Sequence, residues 1–108
     1  MKRYVVEWAI TALDDLEEII SYIADDSPIN ALKVVERIEA RAHTLVTLPM
    51  RGRIIPELQW QGVTTFLEVQ EPPWRLIYRV DGSRVHVVGV LDGRRQLEDL
   101  LLARFLRH

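Results

Sequence analysis

The stretch WRLIYRVDGSRVHVVGVL, residues 74–91, constrains the fold more than any other part of this chain. Two runs rich in β-branched and aromatic residues, about 74–80 and 84–91, flank Asp81-Gly82-Ser83. Gly82 can take the positive φ that a tight turn demands, so the two runs are expected to pair as a β-hairpin. A third strand is expected just before them, at about 63–71 (VTTFLEVQE). Pro72-Pro73 stands between that strand and the hairpin. Proline donates no backbone hydrogen bond, so pairing at this point is expected to be limited.

The first half of the chain has a different period. After a short strand-like RYVVEW at 3–8, Ala12, Leu16, Ile19, Ile20 and Ile23 recur at helical spacing. Thr11 is the expected N-cap, with Asp14 and Asp15 in the first turn to complement the helix dipole. The helix is expected to end near Asp26. Ser27-Pro28 then restarts the chain, serine as cap and proline at the first helical position. A second stripe, Ala31, Val35, Ile38, Ala42 and Leu45, runs to Leu48-Pro49. Two amphipathic helices with so short a break should form an antiparallel hairpin. Residues 49–62 read as loop, with two prolines and two glycines. Leu97, Leu100, Leu101, Arg104 and Phe105 mark a last helix. The expected order is β-α-α-β-β-β-α.

At 108 residues and 48% hydrophobic content the chain can fill one core, which fits a single domain over 1–108. It has no cysteine, so neither a disulfide framework nor a thiolate zinc site is available. No apolar run approaches the roughly 20 residues that span a bilayer, and Met1-Lys2-Arg3 runs straight into YVVEW rather than a signal peptide. A cytoplasmic protein without a membrane partner is the expectation. The net charge of −2 argues against a general nucleic-acid binder. Its distribution is uneven: residues 1–50 carry nine acids and five bases, residues 51–108 seven acids and nine bases, all nine arginine. Arginine suits planar, multi-donor contacts to carboxylates and phosphates, though a genome that prefers arginine codons gives the same bias.

Several of those arginines are candidates for function. Arg94 and Arg95 follow a buried strand and Asp92-Gly93 directly. They read as a grip on a target, as contacts to a partner protein, or as partners of carboxylates in this same domain such as Glu98, Asp99 or the acidic first helix. Exposed ion pairs contribute little stability, so two arginines kept there point toward recognition. Arg75 and Arg79 alternate with Trp74, Leu76, Tyr78 and Val80, forming either a solvated sheet face or a basic patch with Arg84 and Arg95. His43, His86 and His108 have no metal-ligand spacing, and no metal or other cofactor is expected. By alternation His86 shares a face with Arg84, Val88 and Val90; a structural role outweighs that of general base. Arg51 and Arg53 flank Gly52 and read as loop anchors. Trp60 and Trp74, beside prolines, are core or rim residues, and an apolar groove near them could take a partner helix or strand. Leu97, Leu100, Leu101, Phe105 and Leu106 give the last helix a wide apolar face, by default core.

Three stretches, in this order and spacing, resemble the RelE/ParE toxins of bacterial type II toxin–antitoxin systems: VEWAITALDDLEEIISYIA, ALKVVERIEARAHTLVTLPMRGRIIPEL and PPWRLIYRVDGSRVHVVGVLDGRR. The resemblance implies a small α+β domain whose helical hairpin packs on a twisted, mainly antiparallel sheet. It implies a cognate antitoxin that wraps the hairpin, adds to the sheet and could displace the last helix. RelE-like members cleave mRNA in the ribosomal A site, whereas ParE-like members poison DNA gyrase. Cutting RNA without metal takes a proton-transfer group and several cations facing one concave surface. By resemblance, Arg95 matches the basic residue RelE-like enzymes carry after the last strand, and Arg75 matches the arginine of their R-[LI]-[IV]-Y strand. A further arginine of that pattern falls on Leu67, its C-terminal tyrosine on Leu101, and its lysine-rich loop on PELQWQG. The resemblance therefore favours the ParE branch: a DNA gyrase inhibitor without catalytic residues, contacting its target through Arg75, Arg94 and Arg95. The alternatives are a ribosome-dependent mRNA endonuclease using Arg75 and Arg95 with His86 as proton carrier, or a folded antitoxin partner without toxicity.

Overall fold

The computed structural model describes residues 2–106; the readings made at Met1 and His108 fall outside them. Strand β1 (Val5–Trp8) is followed by helices α1 (Ile10–Ala24) and α2 (Pro28–His43), then β2 (Arg53–Ile54) and a short α3 (Pro56–Gln59). Strands β3 (Phe66–Glu71), β4 (Trp74–Asp81) and β5 (Arg84–Asp92) lead into α4 (Glu98–Phe105). The five strands form one sheet in the order β1-β5-β4-β3-β2, antiparallel except for the parallel β1–β5 pair. The α+β architecture and the helical hairpin are as expected.

Period-2 patterning makes the sheet two-sided. Leu67, Val69, Trp74, Leu76, Tyr78, Val85, Val87 and Val90 pack with Ala12, Leu16, Val34, Ile38 and Ala42 of the helical hairpin. Phe66, Ile77 and Leu91 pack instead with Ile55, Leu58, Leu97, Leu101 and Phe105. Each such buried Leu, Ile or Phe contributes about 1.5–3 kcal/mol. The face of β4 that carries Arg75 and Arg79 around Ile77 is thus largely a second core rather than a solvated surface.

Local details depart from the sequence pattern in four places. The N-cap of α1 is Ala9, not Thr11; the Thr11 hydroxyl donates to the Val88 carbonyl at 3.0 Å. Ser27 does cap α2, accepting from the Asn30 N–H with Pro28 behind it. The supposed loop 49–62 holds β2 and α3, too short to show a period. The prolines do not limit pairing: Glu71 sits opposite Trp74, and the cis Pro72–Pro73 unit is itself the turn. Gly82 has φ +60°, and Asp81 pairs with Arg84 across it.

The fourth departure is a bulge. Ile77 pairs with Gly89 but Tyr78 with Val87, which leaves Val88 as an extra residue in β5. Val90 therefore swings to the helical-hairpin face while His86 stays on the other, so they do not share a face. Beyond Val87 the edge of β5 has no strand partner from β1, which ends opposite it at Trp8. Side chains take its place: Asp15 accepts from the Val90 N–H at 3.0 Å, and Arg104 donates to the Val88 carbonyl at 2.9 Å and to both Asp15 oxygens.

Gly52 marks the tightest backbone approach. Its N–H donates to the Tyr78 hydroxyl at 3.0 Å, and an added Cβ would lie 2.5 Å from that oxygen and 2.6 Å from the Glu68 carbonyl. Gly52→Ala is expected to destabilise by about 1–3 kcal/mol through this overpacking; urea unfolding of the purified variant reads the change.

Candidate functional site

Arg75 is the most heavily bonded side chain of the C-terminal half. Its Nε donates to Glu68 Oε1 at 2.6 Å and its Nη2 to Glu68 Oε2 at 2.9 Å. Two further bonds, 2.7 and 2.9 Å, go to the Glu57 carboxylate. Glu68 is 1% exposed and Arg75 9%, and Arg53 adds a bond to Glu68 from the rim. The Arg75 bond, opposed by burial, holds the Glu57 carboxyl below its usual range; the same bonds raise the guanidinium further above its own. Two carboxylates thus neutralise Arg75 on its own chain. Expected among the target-binding residues, it sits as a buried tie between α3, β3 and β4.

Arg94 and Arg95 lie at the end of β5, where the turn is tight. The Gly93 N–H donates to the Pro73 carbonyl at 2.7 Å, and a Cβ there would meet that oxygen at 2.8 Å. Gly93 is therefore a close-contact glycine. Arg94 chelates Asp92 two residues back through Nε and Nη2, both at 3.0 Å, and lies 5.9 Å from the Trp74 ring centre. Its bonds lower the Asp92 carboxyl. The partner of Arg94 is thus Asp92, and neither Glu98, Asp99 nor the first helix supplies it. Arg95 is exposed, and no ion pair holds it among the described residues.

His86 lies elsewhere. It pairs in register with Arg79, four residues along β4 from Arg75, which is roughly 13 Å at strand spacing. Its neighbour is Glu7, with Nδ1 3.8 Å from Oε2; Arg84 bonds the same carboxylate. Arg75, His86 and Arg95, the trio of the nuclease alternative, are not brought together. No group of three or more His, Asp or Glu side chains placed to hold a metal ion forms among the described residues, and no described helix is long and apolar enough to cross a membrane.

The remaining candidates divide. Arg53 anchors its segment through Glu68 as expected, while Arg51 is exposed. Trp60 is 87% exposed and Trp74 is 7% exposed, so one is surface and the other core. Of the last helix's apolar residues, Leu97, Leu101 and Phe105 are buried and Leu100 is 42% exposed. A groove of about 700 Å³ lies between α1 and the segment from Asp92 to α4, floored by Trp74 and Val90. Sequence reasoning missed Glu57, Glu68 and the Asp15–Arg104 pair. Glu68 had a signal: it is a lone charge in an apolar run, on the face shared with Arg75.

The geometry defines a small α+β domain in which Arg75 and Arg94 are paired with carboxylates of the same chain, while Arg95 has no ion pair among the described residues. Residues 6–97 match the ParE toxin of type II toxin–antitoxin system, parDE. The chain is 30% identical to Toxin ParE3 of Caulobacter vibrioides over 84 residues, which is 77% of this chain and 80% of that one. It is 33% identical to Toxin RelE2 of the same organism over 91 residues, covering 83% and 96%. The chromosomal ParDE system of P. aeruginosa superposes with a TM-score of 0.66 at 22% identity, over 83% of this chain and 96% of that one. The RelBE2 toxin–antitoxin complex of Mycobacterium tuberculosis follows with 0.59 at 24%, over 85% and 93%. The chain belongs to the ParE/RelE family of type II toxin–antitoxin toxins.

Proposed function

We propose that this toxin arrests growth in the cytoplasm by binding DNA gyrase, that it cleaves no RNA, and that a cognate antitoxin neutralises it. The observation that carries the reading is the engagement of Arg75 by two carboxylates of its own chain. A nuclease arginine must offer donors to a phosphate whose charge rises in the transition state. Four of the five Arg75 N–H donors already go to Glu57 and Glu68, and His86 lies beside Glu7. A gyrase inhibitor needs a gripping surface and no proton-transfer group. The exposed Arg94–Arg95 turn supplies that surface, with Arg75 reduced to its support. Relatives named ParE3 and RelE2 match about equally, so the choice of target rests on this site and not on overall likeness.

The test uses purified components. Added to gyrase and relaxed plasmid, the toxin is expected to inhibit supercoiling; added to translating ribosomes, it is expected to leave the mRNA whole. A-site cleavage with normal supercoiling would reverse the assignment.

The similar solved structures are toxin–antitoxin systems, which supports an antitoxin partner; the mode proposed for it is to wrap the hairpin and add to the sheet. Because the toxin carries a net charge of −2, binding to it is expected to rest on apolar burial more than on steering. Titrations at 50 and 500 mM salt are expected to differ by less than about tenfold; a many-fold larger loss contradicts this.

A further inference from the structure

We infer that Trp60 is a second contact between the toxin and gyrase, an indole anchor that enters a neutral, apolar pocket of the gyrase protein while the Arg94–Arg95 turn grips beside it. This rests on the gyrase reading above and adds to it a residue and the chemistry of the surface it meets.

The starting point is an indole left in water. Trp60 is 87% exposed, whereas tryptophan is on average a well-buried residue, so its position calls for a reason. The backbone beneath it is ordered. The Val63 N–H donates to the Leu58 carbonyl at 3.0 Å and the Gly62 N–H to the Gln59 carbonyl at 2.9 Å, with Gly62 at φ +78°. These two bonds are the glycine-dependent closure of a helix end, and an apolar pair on either side of it completes the motif. Leu58 and Val63 are that pair, both packed in the second core with Ile55. A side chain on so fixed a base gives up little freedom on binding.

The Arg75 cluster joins this anchor to the arginine turn. Trp60 stands three residues beyond Glu57, on the same side of α3. Glu57 accepts from Arg75 at 2.7 Å, and the Arg75 side chain packs on Gly93, where an added Cβ would lie 3.1 Å from its Cγ. Followed end to end, these links put the backbones of Trp60 and Arg94 roughly 25 Å apart at most, inside one interface of about 800 Å² per partner. Tryptophan and arginine are also the residue types that dominate such interfaces.

Charge and position identify the occupant. Residues 58–67, LQWQGVTTFL, carry no charge at all. A surface that tracks nucleic acid needs lysine or arginine around its aromatic rings, so the indole meets protein and the arginines beside it meet the charged groups. The side of the sheet separates target from antitoxin. α3 packs with α4 on the face opposite the helical hairpin, whereas the antitoxin is proposed to wrap the hairpin. An antitoxin held there leaves Trp60 uncovered, and the indole serves the target alone.

The test compares wild type, Trp60→Ala and Trp60→Phe as full chains, measuring gyrase binding and inhibition of supercoiling. Trp60→Ala is expected to weaken both by about 30-fold, the usual effect of losing a central tryptophan. Trp60→Phe keeps a flat apolar ring and is expected to lose much less. All three should melt together, because the indole touches little of its own chain, and should bind the cognate antitoxin equally. Wild type and Trp60→Ala that inhibit gyrase alike would overturn the anchor and leave the gyrase reading intact. A wild type that does not inhibit gyrase overturns both. Three further results would give the indole to another occupant and overturn the inference: antitoxin affinity that falls in Trp60→Ala, a free toxin that is dimeric until Trp60 is replaced, or binding to duplex DNA alone that depends on Trp60.

Discussion

Replacing Arg75 by alanine is expected to cost the fold about 3–5 kcal/mol, the usual effect of removing one partner from a buried ion pair. The substitution leaves Glu68, 1% exposed, with only the rim contact from Arg53, and leaves Glu57 with no direct cation. Cutting back Glu68 as well is expected to recover part of the loss, because the more deeply buried of the two carboxylates is then gone. Urea denaturation of the single and double variants reads both numbers. Acid titration gives an independent check. The folded pKa of Glu57 lies below the ordinary glutamate value of about 4.5. Its contribution is therefore fully present above pH 4.5 and is lost as the pH falls through the depressed folded value. The wild type should lose stability over that range, and the alanine variant, which lacks the largest of the contacts that depress Glu57, should lose less. The gap between them narrows as the solution becomes acid. A gap that widens toward low pH would show that Arg75 does not hold Glu57.

The second large effect concerns activity with the fold untouched. Arg94 and Arg95 are exposed on a turn whose shape is set by Gly93, Pro73 and the Asp92 carboxylate. Their double replacement by alanine is expected to leave the melting temperature within a degree or two of wild type, as is usual at exposed positions. Toxicity is expected to disappear all the same. The single variants separate the two roles. Arg94 is held by Asp92 and by the Trp74 ring, so its loss disturbs the turn as well as the contact. Arg95 is free, and its loss subtracts only donors offered to another molecule. Arg95→Lys keeps the charge but not the planar fork, and should rescue little if the contact is bidentate. Full toxicity in the double variant would remove the turn from the target surface.

How much of this was readable beforehand varied with the range of the interactions involved. The hairpin at Gly82, the cap at Ser27 and the helical stripes are local, and residues a few positions apart announce them. The β1–β5 pairing joins positions some 80 residues apart and has no local signal. The two-residue β2 is shorter than any period. The bulge at Val88 broke the alternation on which the facing of His86 and Val90 was argued, and the residues that stabilise it, Asp15 and Arg104, come from both ends of the chain. Proline at 72–73 was read as an obstacle when it was the turn. The candidate site was half legible for the same reason: the exposed arginine turn follows from adjacent letters, whereas the neutralisation of Arg75 needed Glu57 and Glu68 brought in from another helix and strand. That neutralisation is what favours the proposed binding role over a cleaving one.

The central claim is that the toxin stops DNA synthesis by binding and cuts no message. Brief induction in a bacterial host without antitoxin, following labelled thymidine and labelled methionine separately, tests it most directly. Thymidine incorporation is expected to fall first, with cells filamenting while methionine incorporation continues. Methionine incorporation that collapses within minutes while DNA synthesis runs on would contradict the account.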